Sequence, residues 1–223
     1  MSHDAERAVR YWDRAAGAYV ASRQDGPLAL SSIYEPVIDD LLGDVKDKRV
    51  LDVGCGDGYY ARKLAATGAA VLAIDGSAEM IKLALRDTPG GEVEYRVADL
   101  TQPLPLPDRR FDVVLANMVL MDIPTLDVAL AEVARVVTDG AVLVFSVTHP
   151  AFFCSDWVHD AQGAKLHKAV SDYLSPTIEE LGFWGPMPSA EAVARHGDWQ
   201  HHRRIPSFIV VRARMLRSAT TVD

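Results

Sequence analysis

Three glycines, Gly54, Gly56 and Gly58, stand between a short apolar run and a helical pattern. The apolar run Arg49–Val53 predicts a buried strand, and Tyr59–Ala66 predicts a helix. Glycine at these positions lets the backbone turn sharply and approach a ligand closely, because no Cβ stands in the way. The strand, turn and helix together predict the first unit of an α/β fold with a ligand at the turn.

The chain continues to alternate between strand and helix patterns through its first two thirds. We predict strands at residues 70–74, 92–97, 111–116 and 141–147, and helices at residues 77–86, with Ser77 as N-cap, and from Leu126 to about Gly140. Residues 92–97 alternate strictly in polarity, as edge strands do, whereas residues 111–116 and 141–147 are continuous apolar runs typical of central strands. This order predicts a doubly wound, mostly parallel sheet.

The two ends of the chain follow other patterns. Residues 4–23 and 30–42 predict two amphipathic helices, the second beginning or kinking near Glu35 because Pro36 follows. Residues 150–163 show no period and predict a loop or short lid, residues 169–181 predict a helix, and residues 208–211 a last strand. A length of 223 residues predicts a single domain, divided into a helical cap (1–45), a ligand-binding core (46–148) and a segment that completes the site (149–223).

The composition argues against several classes of protein. With 23 Lys+Arg against 31 Asp+Glu the formal net charge is −8, so we expect no diffuse attraction to nucleic acid or to an anionic membrane. The two cysteines, Cys55 and Cys154, are too few for a disulfide framework, and a reducing cytoplasm fits them best. No apolar stretch approaches the roughly 20 residues of a membrane span. No pattern specifies an oligomeric state.

Three carboxylates follow or end predicted strands. Asp75 ends the second strand, where a carboxylate can accept hydrogen bonds from both hydroxyls of a ribose. Asp99 follows the third strand and can accept from an exocyclic adenine amine, and Asp52 precedes the turn and can balance a cation. A dinucleotide site is disfavoured, because the sixth position of the G-x-G-x-x-G pattern is the bulky Tyr59.

These features resemble the class I S-adenosylmethionine-dependent methyltransferases over about residues 11–216. Four motifs carry the resemblance: residues 51–58 (LDVGCGDG), 73–77 (AIDGS), 98–100 (ADL) and 111–114 (FDVV). The resemblance implies a Rossmann-like, seven-stranded sheet with a reversed last strand and N-terminal capping helices. It also implies that the segment at 149–223 supplies the acceptor pocket and the last strands.

The resemblance implies where the cofactor lies. Its methionine end is expected at the glycine turn, its ribose at Asp75 and its adenine at Asp99 and Leu100, while residues of the N-terminal helix close over it. Tyr11 and Trp12 are adjacent on that helix and cannot share a face. The implied cofactor-binding residues are Tyr11, Tyr19, Arg23, Asp52, Gly54, Cys55, Gly56, Gly58, Asp75, Gly76, Met80, Ala98, Asp99, Leu100, Asn117 and Met118.

The expected reaction is methyl transfer to an oxygen or nitrogen atom of a small-molecule metabolite, with S-adenosylhomocysteine as product. Holding the reacting atoms in line supplies much of the rate, and a base is needed only if the acceptor is protonated. His149, at the end of the fifth strand, is the first candidate base, although it could equally bond loop backbone. His167 is the second, although it could be a solvated residue at a helix start.

Several alternatives stay open. Phe152, Phe153, Trp157, Phe183 and Trp184 either form an aromatic acceptor pocket or pack beneath a lid. Cys55 is interpreted as a small filler and not a nucleophile. We expect no metal, because the neighbouring His201 and His202 would point to opposite faces of a strand. Methylation of a protein or RNA, or binding of the cofactor without methyl transfer, are the alternative functions.

Overall fold

The computed structural model describes residues 3–25, 31–148, 157–162, 165–168 and 208–215. The helices are α1 (His3–Asp25), α2 (Ser31–Leu42), α3 (Tyr59–Ala66), α4 (Ala78–Arg86) and α5 (Leu126–Val136). The strands are β1 (Arg49–Val53), β2 (Ala70–Asp75), β3 (Val93–Val97), β4 (Phe111–Asn117), β5 (Val137–Thr148), β6 (Trp157–His159), β7 (Lys165–Lys168) and β8 (Phe208–Arg214). A short 3-10 turn, Leu120–Asp122, follows β4.

Six of the strands form one mixed sheet in the order β3-β2-β1-β4-β5-β8. All neighbours are parallel except β5 and β8, which are antiparallel. The Rossmann-like fold with a reversed last strand is therefore confirmed. The predicted seventh strand of this sheet is not found among the described residues. Because β1 to β4 are parallel, their carboxyl ends meet at one edge of the sheet.

The core consists of two apolar clusters on the two faces of the sheet. Val50, Val113 and Leu115 belong to one cluster, which includes side chains of α2 and α3. Leu51 and Val114 belong to the other, which includes side chains of α5. Successive residues of a strand point to opposite faces, so a central strand covered on both sides must be apolar throughout. This requirement explains the continuous apolar runs seen in the sequence.

The first units of the fold match the predicted boundaries closely. The structure has β1 and α3 at the predicted residues, and α4 begins directly after its predicted N-cap. The Ser77 hydroxyl accepts a hydrogen bond from the Met80 N–H at 3.2 Å, as an N-cap serine does. These local signals suffice because each involves residues that are close in the chain.

The prediction for α5 is wrong at its end. The helix ends at Val136, and Val137 already belongs to β5, where it pairs with Phe111. The buried residues of the helix are Ala129, Val133 and Val136, whereas Leu126 and Leu130 are 39% and 41% exposed.

Two other predictions need correction. The second helix does not begin at Glu35: α2 runs from Ser31 to Leu42 with Pro36 inside it, where a proline removes one backbone hydrogen bond of the helix. The segment predicted as a loop at 150–163 contains β6, which pairs with β7 in an antiparallel hairpin. The helix predicted at 169–181 lies outside the described residues.

Candidate functional site

A cleft lies at the carboxyl ends of β1 to β4, with α1 along one side. The residues of α1 that line it are Ala5, Ala8, Val9, Trp12 and Tyr19. Most of the predicted cofactor residues also line it: Tyr19, Asp52, Gly54, Cys55, Gly56, Asp75, Gly76, Met80, Asp99, Leu100, Asn117 and Met118. The structure thus brings residues of three of the four motifs, together with residues at and after the end of β4, to one concave surface, where parallel sheets bind ligands. Their roles as cofactor contacts stay predictions.

The glycines of the turn differ in what surrounds them. All three have positive φ, at 67° for Gly54, 54° for Gly56 and 75° for Gly58. A Cβ at Gly54 would lie 2.6 Å from Cβ of Val119, and a Cβ at Gly58 would lie 2.8 Å from Cζ of Tyr95. A Cβ at Gly56 would meet no protein atom within 4 Å. Two glycines are therefore required by packing, while Gly56 leaves space in the cleft.

Backbone donors hold the Asp75 carboxylate in place. The Gly56 N–H donates to Oδ2 and the Ser77 N–H donates to Oδ1, each at 2.8 Å. Burial raises the pKa of Asp75, and these two hydrogen bonds act against the rise. Each carboxylate oxygen has a second lone pair, so both can still accept from ligand hydroxyls. The arrangement suits the ribose contact predicted for this residue.

Asp52 is the most unusual side chain in the cleft. It is 1% exposed, and neither carboxylate oxygen has a hydrogen-bond partner in the described part of the chain. Burial, with further contributions from Asp75 and Asp57, raises the pKa of Asp52 to about 7. The Ala61 backbone N–H opposes the rise in part, although it does not reach hydrogen-bond geometry with either carboxylate oxygen. A buried carboxylate without partners is costly unless a ligand satisfies it. Asp52 therefore fits a site for a ligand with a positive charge or hydrogen-bond donors.

Asp99 forms a local turn with a residue that the sequence did not indicate. Its Oδ1 accepts from the Thr101 N–H at 2.9 Å, and the Thr101 hydroxyl lies 2.8 Å from Oδ1 and 2.9 Å from Oδ2. This turn fixes the carboxylate at the end of the cleft next to β3. Lone pairs remain on both oxygens for the adenine amine predicted to bind there.

A serine of β5 fixes the residues that follow β4. The buried Ser146 hydroxyl donates to Oδ1 of Asn117 at 2.6 Å and accepts from the Met118 N–H at 3.0 Å. Met118 has a positive φ of 56°, which a non-glycine residue adopts only when its surroundings hold it there. Sequence reasoning missed Ser146, although a single serine inside the apolar run 141–147 was an available signal.

The face of α1 toward the cleft differs from the one predicted. Tyr11 does not line the cleft and is 51% exposed, whereas its neighbour Trp12 does line it, with its ring 5.4 Å from that of Tyr19. Adjacent helical residues point about 100° apart, so only one of the pair can face the ligand. The apolar spacing of Val9, Trp12 and Tyr19 in the sequence was the signal that favours Trp12.

Contacts on both sides of the cleft hold α1. On the α4 side, Oδ1 of Asp13 accepts from the Ser77 hydroxyl at 2.6 Å and from the Glu79 N–H at 3.3 Å. On the β4 side, the Trp12 indole donates to the Asp122 carboxylate. Asp122 lies at the exposed rim, where crowding by protein atoms and the charge of Asp75 raise its pKa to about 6, with Trp12 opposing. Neither aspartate was predicted.

The remaining predicted site residues lie elsewhere. Gly58 packs against Tyr95, and Ala98 is buried in the core, so neither lines the cleft. His167 lies in β7 opposite Val158, and the side chains of His167 and Arg23 are not described. His149 lies just beyond β5, outside the described residues, as do Cys154 and the aromatic residues 152, 153, 183 and 184. The hairpin contains Trp157, whose side chain is likewise not described.

The described ranges contain neither a cluster of metal-ligating side chains nor a membrane-spanning helix. No group of three His, Cys, Asp or Glu side chains there could hold a metal ion, and His201 and His202 lie outside those ranges. Burial raises the pKa of the Cys55 thiol, which keeps it protonated and agrees with a packing role. None of the described helices is both long enough and apolar enough to cross a membrane.

Comparison with known proteins relates this site to one family. A family model described as a methyltransferase domain matches residues 51–145. A malonyl-[acyl-carrier protein] O-methyltransferase of Hamiltonella defensa is 38% identical over 48% of this chain, and a demethylmenaquinone methyltransferase of Renibacterium salmoninarum is 35% identical over 66%. The matches span 40% and 61% of these relatives' own lengths.

A solved structure shares the fold. The crystal structure of an S-adenosylmethionine-dependent methyltransferase from Mesorhizobium loti superimposes with a TM-score of 0.69. The superposition covers 81% of this chain and 97% of the other, at 23% sequence identity. The likeness at this identity concerns the arrangement of the sheet and helices, which is the arrangement that forms the cleft.

Proposed function

We propose that this chain is a class I S-adenosylmethionine-dependent methyltransferase and that it transfers the methyl group of that cofactor to an oxygen or nitrogen atom of a small-molecule metabolite. The methyltransferase-domain match at residues 51–145 and the names of the relatives support this proposal. The observation that carries the proposal is the cleft in which the unpartnered Asp52 carboxylate lies behind a glycine turn. A buried anion at this position suits a ligand that is positively charged near the turn and has no phosphate.

The order of the strands in the sheet gives the order of the proposed cofactor contacts along the cleft. The sheet runs β3-β2-β1-β4, so the cleft passes from Asp99 to Asp75, then to the glycine turn and finally to Asn117. We assign adenine to Asp99, ribose to Asp75 and the methionine end to the turn and Asp52. The bound cofactor supplies an electrophilic methyl group. The protein fixes its position, while Trp12 and Tyr19 of α1 shield the cleft from water.

The proposed acceptor is small and reacts near the end of β4. Residues 149–223 are assigned to the acceptor pocket and the last strands, including a seventh, with residues 1–45 as cap and 46–148 as core. His149 and His167 are retained as candidate bases. The relatives' names, which include a demethylmenaquinone methyltransferase, support a small-molecule acceptor. The described cleft residues include no Lys, Arg or His, which argues against a polyanionic RNA substrate.

Calorimetric titration with S-adenosylmethionine and S-adenosylhomocysteine tests the cofactor assignment. We expect both to bind the wild type with micromolar affinity and NADH not to bind. The variant Asp75→Asn removes a charged hydrogen-bond acceptor and is expected to lower the affinity for S-adenosylmethionine and for S-adenosylhomocysteine by roughly 10-fold or more. Asp127→Asn is the matched control, because Asp127 is exposed on α5 and does not line the cleft.

The same titration can contradict the proposal. Binding of NADH alone, of neither adenosyl ligand, or equal affinity in the Asp75→Asn variant would overturn the assignment. Thermal melting of each variant establishes that it is folded before its affinity is interpreted. Mass spectrometry of mixtures with alcohol, amine and carboxylic acid acceptors then tests the reaction, since methyl transfer adds one methylene to the acceptor and releases S-adenosylhomocysteine.

A further inference from the structure

Asp122 is a cleft carboxylate that belongs to none of the four motifs. It ends the 3-10 turn that follows β4, and it lines the same cleft as Asp52, Asp75 and Asp99. The other three follow or lie in β1, β2 and β3. Asp122 follows β4, which lies on the other side of β1 from β2 and β3, and it is near enough to Asp75 for that charge to contribute to its raised pKa.

The surroundings of Asp122 leave its charge uncompensated. The Trp12 indole donates to its carboxylate from α1, and Ile123 and Pro124 continue the cleft wall beside it. No Lys, Arg or His is among the described residues that line the cleft with Asp122. Its side chain is exposed at the rim, so a ligand can reach it.

A second carboxylate points to the same kind of ligand. Both oxygens of Asp52 lack partners although the residue is 1% exposed. Asp52 precedes the glycine turn and Asp122 ends the 3-10 turn after β4, and both line the same cleft. At neutral pH Asp122 is mostly ionised and Asp52 partly so. Negative charge of this kind repels an anionic group placed in the cleft and attracts a hydrogen-bond donor or a cation.

Resting on the proposed function, we infer that Asp122 is a specificity-determining residue that places negative charge at the methyl-transfer end of the cleft and selects acceptors whose reacting group is a hydroxyl or an amine, not a carboxylate. Its charge is present at neutral pH, because its pKa of about 6 lies below 7. A hydroxyl or amine of the acceptor can donate to the Asp122 oxygens, whereas a carboxylate would be held there without a compensating partner.

Two cofactor analogues measure the charge at this position. S-adenosylhomocysteine is uncharged at sulfur, whereas sinefungin has a protonated amine at the position of the methylsulfonium group. In calorimetric titrations we expect Asp122→Asn to lower the affinity for sinefungin by roughly fivefold more than the affinity for S-adenosylhomocysteine. We expect Asp122→Glu to keep most of the wild-type ratio between the two affinities, and Asp127→Asn to change neither affinity. A purely structural role of Asp122 would weaken both ligands equally.

The outcomes separate this inference from the proposed function. If neither analogue binds the wild type, the proposed function fails and the inference fails with it. If both bind and Asp122→Asn leaves their affinity ratio unchanged, only the inference is overturned. In the acceptor screen, preference of the wild type for carboxylic acids would overturn it as well, while preference for alcohols or for amines would support it and identify which donor group is used.

Discussion

At the scale of single residues, the buried Asp52 carboxylate lowers the stability of the folded protein when it is ionised, although its charge suits the proposed ligand. Its carboxylate is buried beside Asp75 and Asp57 and has no hydrogen-bond partner among the described residues. A carboxyl group whose pKa is higher in the folded state binds its proton more tightly there than in the unfolded chain. Its contribution to stability is therefore fully present below about pH 4 and is lost as the pH rises through about 7.

We predict that Asp52→Asn stabilises the ligand-free protein in a pH-dependent way. With the pKa of Asp52 raised from 3.8 to about 7, the gain over wild type should grow between pH 4 and pH 7 by about 4 kcal/mol at most. The same variant should bind S-adenosylmethionine more weakly. Urea unfolding at several pH values measures the first effect and calorimetry the second. A stability difference that does not change with pH would contradict the assignment of the raised pKa to Asp52.

The glycines of the turn give a second prediction at this scale. Gly56→Ala should lower the free energy of unfolding by roughly 1–2 kcal/mol, because alanine is strained at the positive φ of this position. It should also lose ligand binding, because the added Cβ occupies space in the cleft. Gly43→Ala is the control, since Gly43 also has a positive φ and open surroundings but does not line the cleft. Gly54→Ala and Gly58→Ala should destabilise more than either, because Val119 and Tyr95 block the Cβ.

Thermal melting and calorimetry separate these glycine variants. The expected pattern is normal ligand binding with a small stability loss for Gly43→Ala, and weak binding with a similar small loss for Gly56→Ala. If Gly56→Ala bound S-adenosylmethionine as the wild type does, the backbone of the turn would not contact the cofactor closely, and the proposed orientation would need revision.

At the scale of elements, α1 depends on contacts made at its two sides. The Asp13 carboxylate accepts from the Ser77 hydroxyl and from the first turn of α4, and Trp12 donates to Asp122 across the cleft. Gly76 allows this close packing, since a Cβ there would lie 3.2 Å from Val9. The helix is thus attached to two neighbours that belong to different parts of the sheet.

We predict that Asp13→Ala loosens α1 without affecting the sheet. Loss of a capping-type contact is expected to remove about 1 kcal/mol of local stability. Hydrogen exchange followed by mass spectrometry should show faster exchange in peptides from residues 3–25 and unchanged rates in β1 and β4. Glu6→Ala serves as control, because Glu6 makes only an exposed ion pair with Arg10. Uniform acceleration across all peptides would instead indicate global destabilisation.

Element boundaries show where sequence reasoning is accurate. The strand, glycine turn and helix from Arg49 to Ala66 were predicted at the observed residues, since apolar runs, glycines and the helical period are local properties. The α5 to β5 transition was missed, because helix and strand meet at Val136 and Val137 without a loop. Val137 has the same polarity in either element, and only pairing with Phe111 decides that it is in a strand.

At the scale of the whole molecule, negative charge is concentrated where function is proposed. The chain has a net charge of −8, and the described residues that line the cleft include Asp52, Asp57, Asp75, Asp99 and Asp122 but no Lys, Arg or His. Arg62, which does not line the cleft, lies 3.9 Å from the Asp57 carboxylate. The site therefore favours cationic over anionic ligands. Composition predicted the sign of the net charge but not its position, which depends on four strand ends meeting at one edge of the sheet.

The sequence by itself determined the α/β alternation and the positions of the carboxylates in or after the strands. These follow from patterns within a few residues, where covalent geometry limits what the backbone can do. The reversed last strand was expected only from the family resemblance. Tertiary structure alone decided that Trp12 and not Tyr11 faces the cleft, that Ser146 holds Asn117, and that Asp13 and Asp122 secure α1. Ser77 and Asp13 are 64 positions apart. Such contacts depend on how each helix is rotated and how each strand is aligned with its neighbours, and a local pattern carries no information about either.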